Sequence, residues 1–118
     1  MSEGLARLSP NDHVLVDRKG VMYVGRVLNK HFEIRINSVV LKIPLKEIWS
    51  VIFKSPPYFA KDEVRLRKGS VLQGKITTTP IVFKILDQTI KFPNSDVAGI
   101  SLGFGLLARR RTAAKKRR

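Results

Sequence analysis

Apolar and polar residues alternate along this chain in short runs, and the runs come twice. Phe32, Ile34 and Ile36 enclose Glu33 and Arg35, a period of two that predicts a strand with one buried face. Ile81, Phe83 and Ile85 do the same around Lys84. Further short strands are expected at Val14–Val16, over 21–28, at Val40–Ile43 and at Ile48–Phe53, all rich in β-branched and aromatic residues. Turn-forming pairs separate them: Lys19-Gly20, Lys68-Gly69, Asn37-Ser38 and Asp87-Gln88. No helical stripe interrupts the pattern, so the expected fold class is all-β.

A shift of 49 residues lays Leu15–Phe53 over Val64–Leu102 without a gap. Arg18/Arg67, Lys19/Lys68, Gly20/Gly69, Gly25/Gly74, Ile36/Ile85, Lys42/Lys91 and Pro44/Pro93 are identical pairs, and Arg26/Lys75, Arg35/Lys84 and Glu47/Asp96 keep their charge. Such in-register self-similarity reads as an internal duplication. Gly25 and Gly74, inside strands, predict a bend or a close backbone approach. Gly20 and Gly69 predict a positive φ in a turn. Pro44 and Pro93 stop the strands before them, and the Glu47 and Asp96 carboxylates are expected to accept backbone N–H bonds in the turns that follow. The organisation expected is a first small β-barrel repeat at 1–53, a proline-containing linker at 54–61, a second repeat at 62–102 and a basic tail at 103–118. Tyr58 and Phe59 of the linker are expected to pack into the seam between the barrels.

The opening of each copy, best seen in ValArgLeuArgLysGlySerValLeuGlnGlyLysIle at 64–76, resembles the first half of the Sm motif, over about a third of each copy. The resemblance is to Sm-like and SH3-like small barrels. It implies two fused, strongly bent, five-stranded barrels. The family's second motif has no counterpart, since ProLeuLysGluIle at 44–48 stands near its place, and no binding site is carried over.

Charge changes the picture from fold to function. The 118 residues hold 23 Lys and Arg against 9 Asp and Glu, a net charge of +14, which attracts polyanions. Seven of the cations are Arg109, Arg110, Arg111, Lys115, Lys116, Arg117 and Arg118, a block that reads as an interaction arm. In the body, Arg18, Lys19, Arg26, Lys30, Arg35, Arg65, Arg67, Lys68, Lys75 and Lys84 are a second basic source. Of these, Arg18, Lys19, Arg26, Lys30, Arg67, Lys68 and Lys75 are the candidate phosphate contacts, with His31 as a candidate base-stacking group beside Phe32. Nucleic acid is the expected partner, RNA favoured over DNA, with the proteins of a ribonucleoprotein particle as possible neighbours. A ribosomal or ribosome-associated protein is the concrete form of this reading. A chromatin-like DNA-binding protein and a protein-docking scaffold are the alternatives.

Other chemistry finds little footing. Cysteine is absent, so disulfides and thiolate sites are excluded. His13 and His31 lack an acid-rich cluster, and no metal is expected. Gly103–Ala108 fits Gly-x-Gly-x-x-Ala but has no following strand or acid. No catalytic constellation, cofactor or small-molecule substrate is expected. No signal peptide or membrane-length apolar run is seen, so a cytoplasmic protein without membrane attachment is expected.

Overall fold

The computed structural model describes residues 12–55, 57 and 60–102. Tyr58, Phe59 and the basic tail lie outside the described residues. Ten strands follow in order: β1 (His13–Asp17), β2 (Met22–Val27), β3 (His31–Ile36), β4 (Val39–Pro44), β5 (Ile48–Ile52), β6 (Asp62–Leu66), β7 (Val71–Ile76), β8 (Ile81–Ile85), β9 (Gln88–Phe92) and β10 (Val97–Ser101). Two short 3-10 turns, Leu45–Glu47 and Asn94–Asp96, precede β5 and β10. The all-β expectation is met, and every element of the first half recurs about 49 residues later. Gly20 and Gly69 both have positive φ, as their turns require.

All pairing is antiparallel within one sheet, ordered β4-β3-β7-β6-β5-β10-β1-β2-β8-β9. The order places strands of the two halves side by side. β2 does not pair with β3, its neighbour in sequence, but with β8: Arg26 stands opposite Lys84 and Val27 opposite Phe83. Likewise β7 pairs with β3, Arg35 opposite Lys75 and Ile34 opposite Ile76. Each β3–β4-type hairpin is thus delivered to the other half of the chain. The connections cross where this happens: the Asn29 side chain donates to the Pro80 carbonyl at 3.1 Å and accepts from the Val82 N–H at 2.8 Å. Thr78, 49 residues on, accepts from the Glu33 N–H at 2.7 Å.

Glycine makes the exchange sterically possible. A Cβ on Gly25 would run into the Lys84 carbonyl oxygen, and one on Gly74 into that of Arg35. This is the close backbone approach that the repeated glycine spacing predicts. Along each strand alternate residues turn inward, and Leu15, Phe32, Ile34, Ile48, Val51, Val64, Ile76, Ile81, Phe83 and Val97 are all essentially inaccessible. They form one apolar cluster fed by both halves. The Tyr23 and Phe92 rings, 5.2 Å apart, add a contact between the halves.

Two local expectations need correction. The β8–β9 turn is Leu86-Asp87 rather than Asp87-Gln88, with Leu86 at φ 56° where the first half has Asn37 at φ 57°. The strand alternation fixes the turn one residue earlier and forces a leucine, 90% exposed, into a conformation that suits asparagine. The carboxylates of Glu47 and Asp96 do not cap the 3-10 turns. Their backbone carbonyls are used instead, accepting from the Arg67 and Arg18 N–H groups at 3.0 Å.

Because the atom met at Gly74 is backbone and cannot move aside, Gly74→Ala is expected to destabilise the fold by roughly 3 kcal/mol or more. Gly20→Ala, with open space around it, should cost only the positive-φ penalty of about 1–2 kcal/mol. Urea unfolding followed by Trp49 fluorescence separates the two. Equal losses would contradict the close crossing.

Candidate nucleic-acid interface

The face of the sheet turned away from the core carries the charge. Phe32 and Ile34 point inward, so Glu33 and Arg35 point out; by the same alternation Arg26, Lys75 and Lys84 point out, and all four of these cations are exposed. Residues directly opposite in an antiparallel pair share a face, with Cβ atoms about 5 Å apart. The two exchanged junctions therefore each present a cation directly across from a cation: Arg26 with Lys84, and Arg35 with Lys75. Lys42 and Lys91 extend the rows onto the edge strands β4 and β9, facing Glu33 and Val82.

Carboxylates do little to neutralise this face. Asp17 accepts from the N–H groups of Lys19 and Val21, both at 2.9 Å, and so closes its own turn. Asp62 is buried and accepts from the Lys54 N–H at 2.7 Å and the Ile76 N–H at 2.8 Å. Arg65 lies 4.0 Å from Glu63, at the limit of an ion pair. Glu47, Asp87 and Asp96 are the only exposed acids described.

The other expected contacts divide. Arg67 donates through Nε to the Lys46 carbonyl at 3.0 Å and through a terminal nitrogen to the Leu102 carbonyl at 2.9 Å. It is a clamp that fastens the β6–β7 turn to the 3-10 turn at 45–47. Arg18 makes the corresponding but longer contact, 3.4 Å to the Ser95 carbonyl. Their neighbours Lys19 and Lys68 are exposed at the turns. Lys30 is exposed where the connections cross, and His31 is half-buried with Nε2 3.8 Å from Glu33. Phe32 is fully buried, which removes it as a stacking platform. Arg109, Arg110, Arg111, Lys115, Lys116, Arg117 and Arg118 lie outside the described residues.

A cleft of about 480 Å³ opens beside the β7–β3 junction, lined by Arg18, Lys54, Lys61 and Lys75 together with Asn37 and Gln73. Asp62 also lines it, with both carboxylate oxygens already hydrogen-bonded to backbone. No protein-family model, curated protein or solved structure matches this chain. Among the described residues no group of side chains could hold a metal ion, and no helix is long and apolar enough to cross a membrane.

Lys54 and Lys61 belong to this surface and were not raised by the sequence, while Arg35 and Lys84 were counted among the basic residues of the body but not among the candidate contacts. Arg35 and Lys84 had a signal, since they are equivalents under the 49-residue shift and fall at outward strand positions. What sequence does not show is that the exchange sets them against Lys75 and Arg26.

His13 occupies the position equivalent to Asp62 and does the same work. Its Nδ1 accepts the Val27 N–H at 3.0 Å, so the ring must be neutral with its proton on Nε2. Burial, then the charges of Arg26 and Arg67, hold its pKa down to about 4, against a smaller upward pull from Asp12. Between the ordinary value near 6.5 and about 4, the unfolded chain binds a proton that the folded chain refuses, so stability falls as pH falls through that window. Thermal melts should show a falling Tm from about pH 7 toward about 4.5, within that window. His13→Asp, which installs the acceptor used at position 62, should flatten the fall. A wild-type Tm independent of pH in that range would contradict this role.

Proposed function

We propose that the protein binds structured RNA through its sugar–phosphate backbone, in the setting of a ribosomal or ribosome-associated particle. The observation that carries the reading is the exposed cationic face: Glu33 is set against Lys42, Asp17 and Asp62 bond to backbone, and the Arg–Lys pairs at the two junctions have no carboxylate opposite. A surface that holds like charges together without neutralising them is complementary to a polyanion. Among the described residues, by contrast, no aromatic side chain is fully exposed. Phe32, Phe53 and Phe83 are buried, so phosphate contacts rather than base readout dominate this reading.

The fold proposed beneath it is a duplicated pair of small barrels with exchanged hairpins. The neighbours β10-β1-β2-β8-β9 make one five-strand group and β5-β6-β7-β3-β4 the other, joined where β5 meets β10. The tail, with seven cations in ten residues, acts as an arm that follows phosphates beyond the reach of the sheet.

Binding to a structured RNA and to a DNA duplex should be measured across a salt series, with the full chain and with a chain ending at Ala108. RNA is expected to bind more tightly, with log Kd rising steeply with log salt. Truncation should flatten that slope while weaker binding persists. Equal affinity for both nucleic acids would favour a DNA-coating protein. No binding at about 0.1 M salt would overturn the reading and leave protein docking.

A further inference from the structure

We infer that the two cross-strand cation pairs, Arg26 with Lys84 and Arg35 with Lys75, are a matched pair of phosphate clamps, and that the hairpin exchange is what builds them. The inference rests on the RNA-binding reading and names its contact points. Like charges set directly opposite in an antiparallel pair destabilise the sheet. A single such pair could be incidental to a basic protein. Here the arrangement occurs twice, at equivalent positions, in the β2–β8 and β3–β7 pairings by which each half takes up the hairpin of the other. Among the described residues no carboxylate lies within ion-pair distance of any of the four. An anion bridging the two side chains would convert that repulsion into two charge-assisted hydrogen bonds. Arginine supplies a planar fork and lysine a mobile point charge, a combination that accepts a phosphodiester oxygen from a range of angles.

The clamps are not equal. On the β2–β8 side Lys91 stands opposite Val82, next to Lys84 on the same face, and no acid interrupts the row. On the β3–β7 side Glu33 lies two residues from Arg35 on the same face, opposite Lys42. The first clamp should therefore contribute more to RNA binding than the second. Gly25 and Gly74 sit one residue inward from Arg26 and Lys75, so the close crossings that make the exchange possible also set the spacing of both clamps.

Three single-charge variants of the full chain test this: Lys84→Gln, Lys75→Gln and Lys46→Gln. Lys46 is exposed on the 3-10 turn and belongs to neither pair. Each would be measured for Tm without ligand and for RNA affinity across a salt series. Lys84→Gln and Lys75→Gln are expected to raise Tm by roughly 2 °C by relieving repulsion, to weaken RNA binding about five- to tenfold with Lys84→Gln the larger loss, and to reduce the salt slope by about one. Lys46→Gln should leave Tm within about 1 °C and affinity within about twofold. If RNA binds but all three variants lose affinity equally, the clamps are refuted while the RNA reading stands. If Tm falls in the Lys84 and Lys75 variants, these lysines hold the sheet together, and the clamps are again refuted. If the unaltered chain binds no RNA, both the reading and the clamps fall, an outcome distinct from the other two.

Discussion

Everything in this fold depends on two places where one backbone passes against another with no room for a side chain. At Gly25 the neighbour is the Lys84 carbonyl and at Gly74 it is the Arg35 carbonyl. With any larger residue, β2 could not curl tightly enough to take β8 as its partner, nor β7 to take β3. Glycine costs conformational entropy in a strand, and here that cost is offset by the apolar surface buried beyond each crossing. Val27 meets Phe83 and Ile76 meets Ile34 on the inner face, and all four are buried.

The crossing then propagates outward. Because each half gives its hairpin to the other, the apolar residues of both halves enter one cluster, and neither half has its own closed set of strand neighbours. Polar groups left without a strand partner at the crossings are satisfied by side chains, some across the seam and some within one half. Asn29 and Thr78 serve the β8 and β3 backbones, while His13 and Asp62 take the last N–H of β2 and β7. On the outer face the same geometry brings cations together. The features that stabilise the interior and the features offered to a polyanion are consequences of one arrangement, which is why the charge pairs recur with the glycines.

Much of this was legible in the chain. The period-two alternation placed the strands to within a residue or two, and the 49-residue shift identified which glycines bend strands and which form turns. The partner of each strand was not legible, for a definite reason. Phe32, Ile34 and Ile36 carry the same inward pattern as Ile81, Phe83 and Ile85, so β2 finds an equally good apolar register against either. The choice is made by the connections, where Asn29 reaches Pro80 and Val82 in the other half, and alternation carries no information about them. The cationic site suffered in the same way. Arg18 and Arg67 stood out as repeated arginines in turns, yet their guanidinium groups bind carbonyls of the 3-10 turn segments. Arg35 and Lys84, ordinary strand residues by sequence, became conspicuous only once their partners were known.

The most direct test is to ask which strand lies beside β2 in solution. In the exchanged arrangement Arg26 faces Lys84; were each half to close on itself, Arg26 would face Arg35 instead, the residue 49 positions earlier. Long-range NMR contacts between the backbone protons of Arg26 and Lys84, matched by contacts between Arg35 and Lys75, are the expected result. Contacts between Arg26 and Arg35 would contradict the exchange, and with it the origin proposed for both cation pairs.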